Sequence, residues 1–361
     1  MKILLILASV LLSGTIVAYL IPKVLVLSLK KKLVDPIDPR KIHNTIASRL
    51  GGVTFFPAIF ISFTICFALL NMYYETGISM SLVVMIDAAA ALMLYLVGMF
   101  DDLIGVRYRD KFIVQILTAL VLVLSGTYLK SFYLLDSTLT FPLWFTFPLT
   151  ILLVVFITNA INLIDGINGL ASMLSIIALI VFGIILFVAG DYLYSAISLT
   201  TVGALIPFWY FNVFGVRKRT TARVFMGDCG ALVIGFTLSV MAIKVWNITG
   251  ETKYISSNIC HVLAYSALFV PCIDVIRVIL TRIQSKKSPF LPDNNHIHHR
   301  FMRLGVTPRR TLWIVLSIQI GFIGLNLILS PFVNILLILA IDIVVWTVMH
   351  IMLTKRIINT K

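Results

Sequence analysis

The sequence predicts an all-α fold, a polytopic integral membrane helix bundle, and three observations carry that prediction. Hydrophobic residues make up 60% and charged residues 12% of the 361 positions, with a mean hydropathy of +1.04. That balance excludes an ordinary soluble domain. The apolar residues come in runs of the roughly 20 that one bilayer crossing needs. The basic residues gather on one side of those runs.

Taken in order, the runs lie near residues 3–21, 51–70, 81–100, 111–128, 145–161, 170–189, 193–212, 230–246, 259–281, 311–329 and 332–353, about eleven transmembrane helices at that length. The first follows Lys2 like a signal peptide, but it is long enough to span and no small-residue cleavage site follows, so it reads as an uncleaved helix. The connections are too short to house a second unit, which makes 1–361 a single transmembrane domain. Its cytoplasmic loops are 22–50, 101–111, 162–170, 213–229 and 282–310. With loop 22–50 inside, all but Lys2, Lys130, Lys244 and Lys253 of the 29 Lys and Arg residues lie on the same side. The positive-inside rule then puts the N-terminus out and the C-terminus in. The net charge of +14 is mostly this topology signal, with some left for anionic lipid or phosphate and none requiring nucleic acid. Cys66, Cys229, Cys260 and Cys272 show neither disulfide nor zinc spacing.

Two adjacent carboxylates, Asp101 and Asp102, close the run before the second cytoplasmic loop. An Asp costs roughly 2.5–3.5 kcal/mol at the centre of a spanning helix, and a like-charged pair at a helix end needs a cation or several donors. Arg107, Arg109 and Lys111 follow, so this segment can hold a divalent metal, bind phosphate and activate an acidic nucleophile. The plainer reading is a solvated helix end paired with those bases. Asn159, Asn162, Asp165 and Asn168 recur every third residue as a polar stripe leading into Gly166 and Gly169. Buried amides need partners, which points to a polar cleft or to interhelical hydrogen bonding.

Asp228, in Phe-Met-Gly-Asp, lies near the start of the eighth run, where the helix dipole favours an anion; an N-cap is the ordinary alternative. The longest cytoplasmic loop carries His296, His298 and His299 beside Arg300 and Arg303. That set resembles an anion cradle more than a zinc site, since the spacing is wrong and no cysteine accompanies it. Arg40, Lys41, His43 and Arg49 of the first loop are candidate phosphate contacts. All of these acids and histidines fall on the predicted cytoplasmic side, whereas Glu75 and Glu251 fall outside.

Gly98-Met-Phe-Asp-Asp with Lys111-Phe and Gln115, Asn159 to Leu170, Phe225-Met-Gly-Asp-Cys-Gly and His296-Ile-His-His occur in this order. Together they resemble the polyprenyl-phosphate N-acetylhexosamine-1-phosphate transferase family, of glycosyltransferase 4 type, over residues 35–310. His-Ile-His-His is similar to its WecA/TagO-like branch, related to MraY, which begins O-antigen, common-antigen or teichoic-acid synthesis. The resemblance implies transfer of N-acetylhexosamine-1-phosphate, most often GlcNAc-1-phosphate, from a UDP-sugar to undecaprenyl phosphate. It also implies magnesium or manganese as cofactor, and a multi-pass protein of the cytoplasmic membrane, alone or as an oligomer, whose active site faces the cytoplasm. In that frame Asp228 is similar to the family's metal ligand, with Asp101 and Asp102 as further candidate ligands. Asp101, Asp102 and Asp165 are the catalytic candidates. Lys111, Asn162, Asn168, Asn212, Phe225, His296, His298 and His299 are the substrate-binding ones, and Arg49 and Arg300 the phosphate contacts.

Two positions depart from the family pattern. Asn168 stands where an acid is usual, and Ala231 where a serine is common. A secondary transporter is the rival reading, because Asp87, Asp274 and Asp342 lie within spans, and intramembrane acids often mark ion pathways. A catalytically weak homologue acting in assembly is the other. Asp274 also has Arg277 one turn away as a structural partner.

Overall fold

The computed structural model describes residues 2–33, 47–74, 80–134, 137–218, 220–248, 256–288 and 294–359. Arg40, Lys41 and His43 therefore lie outside the described residues, as do Glu75 and Glu251. Along the chain run α1 (Lys2–Lys30), β1 (Ala47–Ser48), a 3-10 turn (Leu50–Thr54), α2 (Phe55–Tyr74), α3 (Leu82–Ile104) and α4 (Tyr108–Leu124). Next come β2 (Ser131–Leu134), β3 (Ser137–Thr140), α5 (Leu143–Ile164), α6 (Leu170–Val188), α7 (Tyr192–Phe214), β4 (Val216–Lys218) and β5 (Thr220–Val224). The rest is α8 (Gly227–Trp246), α9 (Ser257–Ser266), α10 (Phe269–Gln284), α11 (Ile297–Arg303), α12 (Pro308–Leu329) and α13 (Ile335–Asn359).

Among the described residues nine helical segments are long and apolar enough to cross a membrane, and ten if α9 and α10, bent by 55° at their junction, count as one span. The eleventh expected run is α4. It opens Tyr-Arg-Asp-Lys and has 17 residues, the lower end of the length a crossing needs. It runs from the face where Lys111 meets Asp228 to the opposite end of α8, where the Lys130 N–H donates to Asn247. Local chemistry sets the ends of the others. Ser81 accepts from the Val84 N–H to start α3, and Thr307 does the same for Arg310 ahead of Pro308 in α12, each satisfying a donor that the first turn leaves orphaned.

α8 is the central post. Of its apolar window 83% is buried, against 28% for α1 and for α13, so the outer helices turn apolar side chains outward while α8 is largely enclosed by protein. It packs on α3, α5, α6 and α9. The start of α8 is set by a small sheet, an addition to the all-α expectation. β1 pairs parallel with β5, Ala47 opposite Arg223 and Ser48 opposite Val224, and β4 pairs antiparallel with β5. Beyond the strands the ladder continues: Phe225 N–H donates to Ser48 O (2.7 Å), Gly51 N–H to Phe225 O (3.1 Å) and Gly52 N–H to Met226 O (3.0 Å). A Cβ on Gly52 would sit 2.2 Å from Gly230 N. Arg49-Leu-Gly-Gly is thus a backbone platform for the strand that feeds α8, two residues before Asp228.

Candidate active site

Two helix ends and two helix starts deliver polar groups to a single loop face of the bundle. Lys111, on the first turn of α4, lies 2.9 Å from Asp101 Oδ2 and 3.1 Å from Asp228 Oδ1. Asn162, on the last turn of α5, donates to Asp228 Oδ1 at 2.8 Å. The sequence separations are large, up to 117 residues between Lys111 and Asp228, so this meeting is a product of the fold. Two carboxylates around one ammonium form a partly exposed ion triad, with the Asp228 side chain 23% exposed and that of Asp101 10%. It keeps concentrated charge open to a ligand, which a sealed helix end would not.

Asp102 does something else. Its two oxygens accept from the Asp228 and Cys229 N–H groups, both at 2.9 Å, so it caps α8 from a neighbouring helix. Such a cap is worth about 1 kcal/mol. Gly227 makes room for it: φ is +67°, and a Cβ there would lie 2.2 Å from Arg49 O and 2.5 Å from Asp102 Oδ2. The adjacent acids are therefore not an open pair. Asp101 faces Lys111 and accepts from Val106 N–H (2.6 Å), while Asp102 is turned onto backbone. Each of its oxygens already holds one donor, so in this structure its first role is to fix the start of α8.

The polar stripe divides in the same way. Asn159 Nδ2 donates to Gln115 Oε1 (2.6 Å) and Val155 O (2.8 Å), an α5–α4 tie, while Asn162 joins the triad. Asp165 ends α5; burial, and then the Asp228 charge, push its carboxyl up to about 7. Asn168 is half-buried in the turn that follows. Asn212, expected at the nucleotide, is a strut: its Oδ1 accepts from Gly169 N–H (2.6 Å) and its Nδ2 donates to Val224 O (2.7 Å). Its amide is consumed by backbone on both sides. Phe225 is half-buried beside it, its main chain in the ladder.

The histidine segment reaches the same face. His298 packs so tightly on the turn after α5 that a Cβ on Gly166 would lie 2.0 Å from its Nε2. The ring is 0% exposed, and neither nitrogen has a hydrogen-bond partner. Burial, and then the neighbouring His299, push it down to about 3. His298 is therefore a neutral imidazole, which offers one donor and one acceptor. His299 lies against it, ring centroids 4.2 Å apart, and His296 bonds Asp274 Oδ2 through Nδ1 at 2.8 Å.

Arg300 is engaged elsewhere. Its guanidinium meets His350 Nδ1 (2.8 Å) and Thr354 on α13, so the phosphate contact expected of it is not what this geometry provides. The Arg49 side chain is exposed, and its carbonyl lies beneath Gly227. The acids behind the transporter reading each have protein partners: Asp87 accepts from Tyr194 (2.7 Å), Asp342 from Asn326 (2.6 Å) and Tyr265 (3.1 Å), and Asp274 from Arg277 (2.9 Å). The tie from Asp274 to the histidines was missed in the sequence, although an acid in an apolar span with Arg at i+3 was a visible signal.

Among the described residues no three His, Cys, Asp or Glu side chains converge as a ready metal cage. Asp101 and Asp228 do converge on one cationic point, and magnesium is commonly held by one or two carboxylates plus substrate phosphates. The donor set fits that kind of ion.

A polytopic helix bundle with this charged face defines the class of protein. Residues 82–246 match the family described as Glycosyl transferase family 4, and the chain belongs to that family. It is 30% identical over 298 residues to the probable undecaprenyl-phosphate N-acetylglucosaminyl 1-phosphate transferase of Bacillus subtilis (strain 168), covering 82% of this chain and 76% of the relative. It is 29% identical over 312 residues to the undecaprenyl-phosphate alpha-N-acetylglucosaminyl 1-phosphate transferase of Salmonella typhi, covering 86% and 79%. The protein of the same name from Yersinia pestis is 30% identical over 311 residues, covering 84% and 80%.

Proposed function

We propose that this chain transfers N-acetylglucosamine-1-phosphate from UDP-N-acetylglucosamine to undecaprenyl phosphate, leaving undecaprenyl-diphosphate-N-acetylglucosamine in the membrane. The observation that carries the reading is the Asp101–Lys111–Asp228–Asn162 cluster at one loop face of a membrane bundle, in a chain whose relatives bear that activity in their names. An oxygen of the lipid phosphate attacks the sugar-linked phosphorus. The bond from that phosphorus to the oxygen it shares with uridine phosphate breaks, and UMP departs. One phosphoanhydride replaces another, so no water or redox partner is needed.

The protein's work is then positioning and charge management. A phosphate monoester has a second pKa near 6, so the nucleophile needs little deprotonation at neutral pH. Lys111 neutralises phosphate charge, and Asp101 keeps that ammonium in place. His298, uncharged, donates one hydrogen bond to a phosphate or sugar oxygen, with His296 and His299 beside it. Asn162 and Asn168 supply neutral donors and acceptors, and Phe225 offers a ring for the uracil. Asp228 and Asp101 would hold magnesium, or manganese, which when bound stabilises negative charge on the diphosphate oxygens. The basic loops set the charged face toward the cytoplasm of the inner membrane, where a nucleotide-sugar is present, and the product primes a cell-envelope glycan.

The test is an assay of purified full-length protein in lipid nanodiscs with undecaprenyl phosphate and a panel of UDP-N-acetylhexosamines, with and without magnesium. The expected outcome is UMP release with UDP-N-acetylglucosamine only when lipid and magnesium are both present. Absence of UMP with every donor would sink the reading and leave the assembly role.

A further inference from the structure

We propose that Asp274 is a positioning residue for the donor half of this reaction, holding the histidine segment against the turn that follows α5; this rests on the function proposed above. Asp274 lies on α10 and is 0% exposed. Its oxygens collect donors from three sources: Arg277 Nη2 at 2.9 Å, the Ile297 N–H at 3.1 and 3.2 Å, and the His296 ring at 2.8 Å. A buried carboxylate is tolerated when it is paired and its remaining lone pairs are filled, and here both conditions hold. Arg277 Nη2 also donates to Asn295 O (2.5 Å). Residues 295, 296 and 297 are thus each fixed by this one ion pair, although α10 and the histidines are about twenty residues apart in sequence (22 between Asp274 and His296).

The chain of contacts does not end at His296. Its ring lies parallel to that of His298, with centroids 5.9 Å apart and planes 4° apart. His298 then presses on Gly166, next to Asp165. A simple staple between α10 and α11 would have no need to finish on a wholly buried imidazole whose two nitrogens lack partners. An orphaned polar group of that kind costs about 1–3 kcal/mol, a cost a substrate oxygen would relieve. Asp274 also decides which His296 nitrogen is committed: Nδ1 faces the carboxylate, so Nε2 is the nitrogen directed elsewhere. Carboxylate–histidine pairs of this type orient the ring and fix its tautomer.

The experiment compares wild type with Asp274→Asn and Asp274→Glu as full-length protein in nanodiscs. UMP release is measured with each substrate varied in turn, alongside thermal unfolding. By analogy with other orienting carboxylates, Asp274→Asn should cut kcat/KM for UDP-N-acetylglucosamine by about 10- to 100-fold. The KM for undecaprenyl phosphate should stay unchanged, and Asp274→Glu should restore part of the loss. In a His298→Ala background the Asp274→Asn loss should largely vanish, because both changes act through one ring. Losses that simply multiply in the double variant, or that fall equally on both substrates with a lowered unfolding temperature, would reduce Asp274 to a structural pair and overturn the proposal. Arg277→Gln, a milder change to the same pair, carries the same comparison where Asp274→Asn does not fold. A wild type that releases no UMP would overturn the functional reading itself, which is a separate outcome.

Discussion

Asp228 and Asp342 sit in helices of comparable apolarity, α8 and α13, yet their surroundings differ in kind. Asp228 shares an ammonium with a second carboxylate, takes an amide from Asn162 and keeps part of its side chain open. Asp342 is 0% exposed and meets neutral donors, Asn326 and the Tyr265 hydroxyl, with Asn326 donating in turn to Ser266 (2.8 Å). The first arrangement concentrates charge at an accessible face. The second ties α9, α12 and α13 together, as buried polar groups do between spanning helices. An acid in a membrane bundle declares its task through its partners, not through its depth.

The largest effect should come from the accessible set. Asp228→Asn keeps shape and the Asn162 contact but removes charge, and UMP release should fall by about 10²–10³-fold, as when a preorganised electrostatic group is lost. Its unfolding temperature should match wild type. Asp102→Ala tests the cap: about 1–2 kcal/mol of stability should disappear, seen in thermal or denaturant unfolding, with turnover falling because Asp228 follows the first turn of α8.

Asp165 sharpens the contrast through pH. Its carboxyl is raised to about 7 by burial and by Asp228, above the value near 4 of an unfolded chain. The folded state holds the proton more tightly, so this group favours folding at acid pH and loses that contribution as pH climbs through about 7. Asp165→Asn should therefore flatten the decline in unfolding temperature between about pH 4 and 7. The smallest expected effect belongs to Asp342→Asn, which should leave UMP release within about twofold of wild type, as expected away from catalytic groups. A loss matching that of Asp228→Asn would erase the distinction between the two sets.

Much of this was legible before any coordinates. The apolar runs place nearly every helix, and acids at the ends of three runs point to one face. Partners were harder. Spacing reports which face a residue occupies, but not whether Asp102 reaches a substrate or the first N–H groups of α8, nor that Asn212 bridges Gly169 and Val224. Arg300 follows the histidines directly, yet its helix turns it toward His350. β1 has two residues, too few for an alternating pattern to show. The Asp274–His296 link joins two segments through tertiary geometry alone.

The platform formed by residues 47–52 carries a consequence for how this family can drift. Ala47, Ser48 and Leu50 are buried there, and a Cβ on Gly51 or Gly52 would collide with Phe225 O or Gly230 N, so identity is constrained, and length is constrained as well. One residue inserted or deleted between Ala47 and Gly52 would slide the register by about 3.3 Å, carry Gly52 off Gly230, and pull the α8 carboxylate out of reach of Lys111. Selection on this stretch should act on counting as well as on identity.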